Sequence, residues 1–176
     1  MHRFSPPLYS VDASAMIQLK DDYPPDVFVS LWDFLGGMAD AGRLLACQEI
    51  RDECHDQELV EFFRDHPRAV ADFGELQDHL LALQAEASAL GLEMVNPDSP
   101  RHQADPFVVA LALALDGRDA VRLMVKVSPA ATCHVVTYER ARGAQARLKA
   151  IPDVCAHYRL VVRRWPEVLR AQGYSG

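Results

Sequence analysis

The sequence predicts an α/β protein with a three-layer α/β/α sandwich, in which a mainly parallel central sheet lies between layers of helices. Short apolar runs typical of buried strands are separated by segments of helical periodicity, an alternation that indicates repeated βαβ units. The 176 residues fit one domain of ~100 to 200 residues, so we expect a single domain over residues 1–176. With 49% hydrophobic residues, the chain is too apolar for a disordered protein.

The first predicted strand ends at an acidic residue. Leu8–Val11 is a short β-prone run that is followed directly by Asp12. Residues 15–19 predict a short helix, and Pro24 and Pro25 stop it because proline cannot continue a helix. The chain therefore begins with a strand that delivers a carboxylate at its C-terminal tip.

The next helix and strand have clear boundaries in the sequence. Pro25 or Asp26 can open a helix, because the fixed φ of proline suits a first turn. Apolar residues then recur at helical spacing up to Gly42, which supplies a left-handed end. Leu44–Cys47 is a continuous apolar run, and it predicts a strand that is buried on both faces of a parallel sheet.

Two longer helices are predicted in the middle of the chain. Residues 49–63 combine acidic and apolar residues at helical spacing up to a break near His66. Residues 70–90 predict a second helix, which ends at Gly91. Residues 96–103 are rich in turn formers and predict a loop.

A buried helix opens the C-terminal part of the chain. Asp105 precedes residues 107–115, which are apolar on nearly every side and predict a helix deep in the fold. Residues 119–131 fit a strand, a helical extension or an insertion equally well. The remaining predicted elements are a strand over residues 133–137, a short helix over 152–158, a last strand over 159–162 and a terminal helix over 165–171.

The sequence predicts neither export nor a membrane span. Residues 1–10 lack a basic region followed by an apolar segment, so they do not predict a signal peptide. The longest apolar run, residues 106–115, is well short of the ~20 residues that cross a bilayer. The four cysteines form no CxxC pair and are typical of reduced core residues. We therefore expect a cytoplasmic protein with no membrane partner.

Charge is distributed unevenly along the chain. The net charge is −7, yet residues 140–176 hold eight Lys and Arg residues against two acidic ones and carry +6. Residues 1–139 therefore carry −13. This asymmetry fits a basic surface for a polyanion beside an acidic centre, and it also fits the solvated face of terminal helices.

Acidic residues follow the predicted strands or open the buried helix. In an open parallel sheet, ligands bind beyond the carboxyl ends of the strands, where we expect Asp12, the segment 49–53 and Glu139, with Asp105 nearby. Carboxylates that converge there would repel one another unless a cation neutralises them. Oxygen ligands without histidines at ligand spacing favour Mg²⁺ or Mn²⁺ over zinc. The sequence therefore predicts a divalent-metal site.

Four short motifs support this interpretation. They are VDAS at residues 11–14, IRDE at 50–53, ADPF at 104–107 and VVTYE at 135–139. In content and order they resemble the acidic motifs of the PIN-domain family, which includes VapC-like toxin ribonucleases. YPPD at residues 23–26 and IPDVC at 151–155 resemble the sequence of an uncharacterised bacterial PIN-like branch.

The resemblance implies a metal-dependent endoribonuclease that uses one or two Mg²⁺ or Mn²⁺ ions, commonly the toxin of a bacterial toxin–antitoxin pair. It implies that Asp12 and Asp105 are the principal metal ligands, and that Glu53 and Glu139 complete the catalytic set, with Glu139 also reaching the metal. The ions would activate a water and stabilise charge on the scissile phosphate.

Three further residues have supporting or alternative roles on this resemblance. Ser14 and Thr137 would be supporting hydroxyls. Glu49 competes with Glu53 as the second acid of the site. Glu53 is preferred because it lies one helical turn beyond Ile50, as the motif requires.

The expected partners follow from the same resemblance. RNA would lie along the C-terminal basic surface, which offsets the repulsion between its phosphates and the acidic centre. An antitoxin protein would cover the acids, with an inserted arginine in place of the metal. A homodimer is a further possibility, because PIN domains often pair.

Alternative interpretations remain open at the level of sequence. Taken singly, Asp105 would be a helix N-cap, Glu53 a solvated helix residue and Asp12 a turn former. Glu139, where the family more often has Asp, favours a catalytically inactive PIN-like binding or scaffold module as the alternative function. A phosphatase, or a nuclease acting on other phosphate esters, would use the same acids.

Overall fold

The structure is a computed structural model that describes residues 7–98, 103–116 and 132–175. Within these residues, five strands form one sheet in the order β3-β2-β1-β4-β5, and every pair of neighbours is parallel. The strands are β1 Leu8–Val11, β2 Leu44–Cys47, β3 Val70–Ala71, β4 Cys133–Val136 and β5 Val161–Arg163. Helices flank the sheet, which confirms the predicted three-layer α/β/α sandwich.

The described helices alternate with the strands along the chain. Their bounds are α1 Ala13–Asp22, α2 Val29–Asp40, α3 Gln48–Glu53, α4 Gln57–Asp65, α5 Phe73–Leu90, α6 Asp105–Leu115, α7 Ile151–His157 and α8 Trp165–Ala171, with a 3₁₀ turn at Pro67–Ala69. A helix between successive strands lets each strand run in the same direction as the one before. All carboxyl ends of the strands therefore meet at one edge of the sheet.

Helix α6 is the centre of the hydrophobic core. Nearly all of its residues are buried, and it packs against β1, β2 and β4 as well as against α5 and α7. The buried Ser10 hydroxyl of β1 donates a 2.9 Å hydrogen bond to the Val108 carbonyl oxygen of α6. The apolar run in the sequence therefore becomes the helix whose first residue, Asp105, is held against the middle of the sheet.

The predicted helix over residues 49–63 is wrong in one respect, because the structure divides it into α3 and α4. Cys54 leaves the helical conformation with φ −84° and ψ 98°. Cys54 and Leu59 are both almost fully buried, although positions five residues apart lie about 140° apart around a straight helix. The break lets both side chains face the core, and Asp56 in the connection pairs with Lys20 of α1 at 3.1 Å.

The predicted helix over residues 70–90 is also wrong at its start. Val70 and Ala71 form the edge strand β3, paired with Ala46 and Cys47 of β2. Helix α5 begins only after Asp72, whose carboxylate accepts a 2.7 Å hydrogen bond from the Gly74 amide and so caps the helix. Its predicted end is confirmed, because Gly91 adopts φ +66°.

Two other boundaries shift for local reasons. Helix α2 begins at Val29 rather than at Pro25 or Asp26, because the amides of Val27 and Phe28 donate to the Pro24 carbonyl and form a turn first. Strand β5 begins at Val161, since Arg159 adopts φ +56° and ends the preceding turn.

Other predictions are confirmed by the described residues. All four cysteines are free and buried, as expected of reduced core residues. Among the described helices, none combines the length and apolarity needed to cross a bilayer. The undecided segment 119–131 and residues 99–102 of the predicted loop 96–103 lie outside the described residues.

Candidate active site

The order of the strands creates a crevice beside β1. From β1 the chain first builds one side of the sheet with β2 and β3, and then the other side with β4 and β5. The direction in which successive strands are added to the sheet therefore reverses between β1 and β4. In open α/β sheets, ligands bind outside the carboxyl ends of the strands at such a switch point.

Asp12 lies directly at this switch point. Its amide donates a 2.9 Å hydrogen bond to the Val136 carbonyl, which continues the pairing of β1 with β4 by one residue. The Asp12 side chain is only 4% exposed. Its carboxylate accepts hydrogen bonds from the hydroxyls of Ser14 and Thr137, the latter at 2.9 Å.

The two hydroxyls are themselves held in place by the backbone that follows β4. The Ser14 hydroxyl accepts a 3.1 Å hydrogen bond from the Tyr138 amide, and the Thr137 hydroxyl accepts a 3.0 Å bond from the Glu139 amide. Because an ionised carboxylate can only accept, each hydroxyl donates its proton to Asp12 while its oxygen accepts from a backbone N–H. The hydroxyls predicted to support the site therefore fix the orientation of Asp12.

Burial makes Asp12 reluctant to ionise. The pKa of its carboxyl is raised by burial, and the hydrogen bonds from Ser14 and Thr137 counteract only part of this effect. A buried carboxylate of this kind is stabilised when a cation approaches.

Asp105 occupies the first residue of α6 rather than the cap. Ala104 is the residue at the N-cap position, with φ −84° and ψ −12°, and no side chain caps this helix. The N-cap interpretation of Asp105 is therefore wrong. The Asp105 carboxyl is instead the acidic group that the core helix presents near the carboxyl edge of the sheet.

The electrostatic surroundings of Asp105 connect the four predicted acids. Its pKa is raised to about 7, first by burial and then by the negative charges of Glu139, Asp12 and Glu53, while the positive charge of Arg142 opposes the shift. Acids that are 34 to 93 residues from Asp105 in the sequence thus act on one carboxyl group. We refer to Asp12, Glu53, Asp105 and Glu139 as the acid cluster.

The two glutamates of the acid cluster come from two other segments, α3 and the stretch that follows β4. The Glu139 carboxylate accepts a 2.9 Å hydrogen bond from the Ile151 amide at the start of α7, so one of its oxygens is directed to that helix. Glu53 is the last residue of α3, and its charge acts on Asp105.

Glu49, the alternative second acid, lies elsewhere on α3. Its Oε2 atom is buried with no hydrogen-bond partner among the described residues. Its charge acts on Cys47, where burial and then Glu49 raise the pKa of the thiol. Since Glu53 rather than Glu49 is among the charges that raise the pKa of Asp105, the geometry favours Glu53 as the second acid.

The chemistry of the acid cluster suits a hard divalent cation. The side chains offer only carboxylate and hydroxyl oxygens, the ligands that Mg²⁺ and Mn²⁺ prefer. Among the described residues, no three His, Cys, Asp or Glu side chains come close enough together to hold a metal ion directly. Mg²⁺ commonly keeps several waters and takes only one or two carboxylates from the protein, which is compatible with this spacing.

One family model matches almost the entire chain. It is described as a domain of unknown function, DUF4411, and it covers residues 9–175. The chain belongs to the DUF4411 family. None of the curated proteins and none of the solved structures matches the chain. The DUF4411 match runs from β1 to α8, so the whole acid cluster falls within the family's domain.

Sequence reasoning missed the interactions that shape the loop after β4 in this DUF4411 domain. Lys149, counted there in the C-terminal basic surface, is instead buried, and its ammonium donates to the carbonyls of Gly143, Ala144 and Ala146 at 2.7 to 3.3 Å. The loop is therefore closed around a cation. No pattern in the sequence distinguishes this lysine from an exposed one.

Asp153 fixes the same loop from the side of α7. Its carboxylate accepts hydrogen bonds from the amides of Arg142, Gly143 and Ala150 at 2.8 to 3.0 Å. An acid three residues into a helix that begins with Ile151-Pro152 is a capping signal visible in the sequence. The signal predicts the bond to Ala150 but not those to the loop.

Proposed function

We propose that the protein is a cytoplasmic endoribonuclease that hydrolyses RNA phosphodiester bonds with the help of Mg²⁺ or Mn²⁺. The observation that carries this proposal is the position of Asp12, a 4% exposed carboxylate at the switch point of the sheet that the Ser14 and Thr137 hydroxyls hold. The pKa of Asp105, raised to about 7 by burial and by the charges of Glu139, Asp12 and Glu53, supports it. A fold that gathers carboxylates in this way loses stability unless a cation compensates their charge. Perturbed acids of this kind in a crevice are typical of functional sites.

The residues of the chain have distinct roles in this proposal. Asp12 and Asp105 would hold the metal, Glu139 would reach it through a water, and Glu53 would complete the catalytic set. When bound, a divalent ion supplies an activated water and neutralises charge on the scissile phosphate. Ser14 and Thr137 keep the Asp12 carboxylate in one orientation through the hydrogen bonds described above.

The basic residues of the C-terminal part favour a polyanionic substrate. Arg142 lies close enough to Asp105 for its charge to lower the pKa of that carboxyl. Arg140 and Arg147 are exposed on the same loop. Cations beside an acidic crevice attract the phosphates of RNA and release counterions when it binds.

The toxin role is proposed on the resemblance to PIN-domain toxins alone. If it is correct, production of the wild-type protein arrests bacterial growth, and production of Asp12→Asn does not. An antitoxin encoded with it would restore growth by covering the acid cluster, and a homodimer would be the expected oligomer.

Cleavage of labelled single-stranded RNA in Mn²⁺ tests the proposed activity. Wild-type protein should cut the RNA, EDTA should stop the reaction, and Asp12→Asn and Asp105→Asn should each reduce the rate by roughly a hundredfold or more. Asp33→Asn, an exposed position on α2, is the matched control and should cut normally. Wild-type rates in both folded cluster variants, or no cutting by the wild type, would overturn the proposal.

A catalytically inactive binding or scaffold module is the second candidate. It is favoured by the engagement of Glu139 with the Ile151 amide, which leaves this carboxylate less available to a metal. Calorimetric titration with Mn²⁺ separates the candidates. A ribonuclease should bind the ion and lose that binding in Asp105→Asn, whereas a module without a metal site should show no heat of binding in either protein.

A further inference from the structure

A second concave surface lies at the β3 edge of the sheet. It is a cavity of about 530 Å³ formed by α3, α4 and the turn that leads into β3. Its lining includes the basic side chains Arg51, His55 and Arg64 and one acid, Asp52. Another part is apolar and includes Val60, Phe63 and Pro67. A cavity lined by both guanidinium groups and apolar carbon has the chemistry of a nucleotide site.

The two arginines of the cavity are available to an anion. Arg51 pairs with Asp52 and Arg64 pairs with Asp65, each at 2.8 Å. Both pairs are solvent-exposed, so they contribute little and exchange readily for a better partner. A guanidinium carries five N–H donors in a planar fork that matches two phosphate oxygens, so an incoming phosphate competes well with a single carboxylate.

The cavity borders the acid cluster. Asp52 and Cys54 both line it, and Glu53 of the acid cluster lies between them in the chain. The Cys54 thiol reflects this proximity, because its pKa is raised to about 12 by burial and then by the charges of Glu53, Asp12 and Asp56. The cavity and the acid cluster are therefore neighbours at the end of α3.

We propose that this cavity is a nucleotide-binding subsite for single-stranded RNA, adjacent to the position of cleavage. The inference rests on the proposed ribonuclease function and specifies its substrate. Arg51 and Arg64 hold a backbone phosphate, and Val60 and Pro67 contact the ribose or base. A base in a duplex is stacked on its neighbours, so only an unpaired nucleotide can enter.

Binding in the absence of metal tests the subsite separately from catalysis. The probe is a fluorescein-labelled, 2′-O-methylated RNA octamer in EDTA, and its anisotropy is followed at low salt. Arg51→Gln and Arg64→Gln should each raise the Kd about five- to tenfold, and each should lower the slope of log K against log salt by about 0.7. Arg68→Gln, at an exposed arginine that does not line the cavity and lies outside the C-terminal basic surface, is the matched control and should bind like the wild type.

A change on the apolar wall provides an independent variant. Val60 is 44% exposed, so Val60→Glu should fold normally while it places a negative charge against the incoming phosphate. This variant should weaken binding by tenfold or more. A duplex of the same sequence should compete poorly with the octamer.

The outcomes distinguish failure of the subsite from failure of the ribonuclease. Wild-type affinity in Arg51→Gln, Arg64→Gln and Val60→Glu, equal affinity for the duplex, or no binding of the octamer would overturn the subsite, whether or not the protein cuts RNA. Binding that depends on these residues in a protein that never cuts RNA would overturn the ribonuclease and leave the subsite standing.

Discussion

The Thr137 hydroxyl donates a 2.9 Å hydrogen bond to the Asp12 carboxylate and so joins the ends of two neighbouring parallel strands. Both side chains are almost completely buried, with exposed fractions of 1% for Thr137 and 4% for Asp12. The bond supplies a donor to a carboxylate that water reaches poorly. The crevice between β1 and β4 therefore depends on a hydroxyl at the end of β4.

Thr137→Val removes this donor and keeps the shape of the side chain. We expect the free energy of unfolding to fall by about 1 to 3 kcal/mol at neutral pH, because a buried carboxylate loses one of its hydrogen bonds. Thr137→Ser keeps the hydroxyl and should lose less than half as much. Urea denaturation followed by circular dichroism measures both values, and equal stability of the two variants would contradict the role of the hydroxyl.

Asp105→Asn should change how stability depends on pH. In the folded state the pKa of Asp105 is raised to about 7 from an ordinary value of 3.8, so the folded protein binds this proton more tightly than the unfolded chain does. The resulting stability is present below pH 3.8 and is lost as the pH rises to about 7. The free energy of unfolding of Asp105→Asn should therefore rise relative to that of the wild type across this pH range, by on the order of a few kcal/mol.

Thermal unfolding at several pH values measures this difference. The exposed Asp33→Asn variant should follow the pH dependence of the wild type. Mn²⁺ should stabilise the wild type at pH 7 and leave Asp105→Asn unchanged, because the ion compensates the same charge. A constant difference in unfolding temperature between Asp105→Asn and the wild type from pH 4 to 7 would be incompatible with the raised pKa of Asp105.

Two adjacent glycines of α2 form a matched pair for a packing test. A Cβ atom on Gly36 would lie 2.6 Å from the His66 ring, whereas one on Gly37 would have no neighbour within 4 Å. His66 is held there by a 2.9 Å hydrogen bond to Asp40 and by contact with Phe62. Gly37→Ala should stabilise the protein by up to about 1 kcal/mol through helix propensity.

Gly36→Ala should instead destabilise it by about 1 to 3 kcal/mol, because the ring is forced out of its place. Chemical denaturation of the two variants gives the comparison directly. In a His66→Ala background the space is open, so Gly36→Ala should become stabilising there. Persistence of the loss in that background would show that His66 is not its cause.

Lys149→Met removes the cation that closes the loop after β4. Three carbonyl groups, those of Gly143, Ala144 and Ala146, lose their donor, and we expect the free energy of unfolding to fall by about 1 to 3 kcal/mol. Arg147→Met, an exposed change in the same loop, should stay within about 0.5 kcal/mol of the wild type. If urea denaturation gave both variants a similar loss of free energy of unfolding, the loss would come from the removed charge and not from opening of the loop.

The sequence predicts those parts of the fold in which local and tertiary preferences agree. The apolar runs at Leu44–Cys47 and in α6 can be satisfied only by full burial, and both were placed correctly. Residues 70–71 were assigned to a helix because their pairing with β2 is a contact between distant segments, which helical periodicity cannot reveal. The break at Cys54 has the same origin, since it depends on which side chains the core can receive.

The residues of the candidate site likewise differ in whether local sequence could predict them. Asp12 and Asp105 could be predicted from their positions at the end of a strand and the start of a buried helix. The choice between Glu49 and Glu53 could not, because both lie four residues apart on one short helix and only the fold decides which acts on Asp105. Lys149 was missed because a buried ammonium depends on three carbonyls whose position no local pattern specifies.

Helix α6 determines how well the crevice between β1 and β4 resists local unfolding. Asp105 begins the most enclosed of the described helices, and the bond from Ser10 to Val108 ties that helix to the central strand. Amide hydrogens inside such a helix exchange with solvent only through global unfolding. Because the Ser10 bond falls within the first turn of α6, the turn that carries Asp105 is tied to the central strand, and heat or denaturant should abolish ligand binding at the same midpoint as the fold itself.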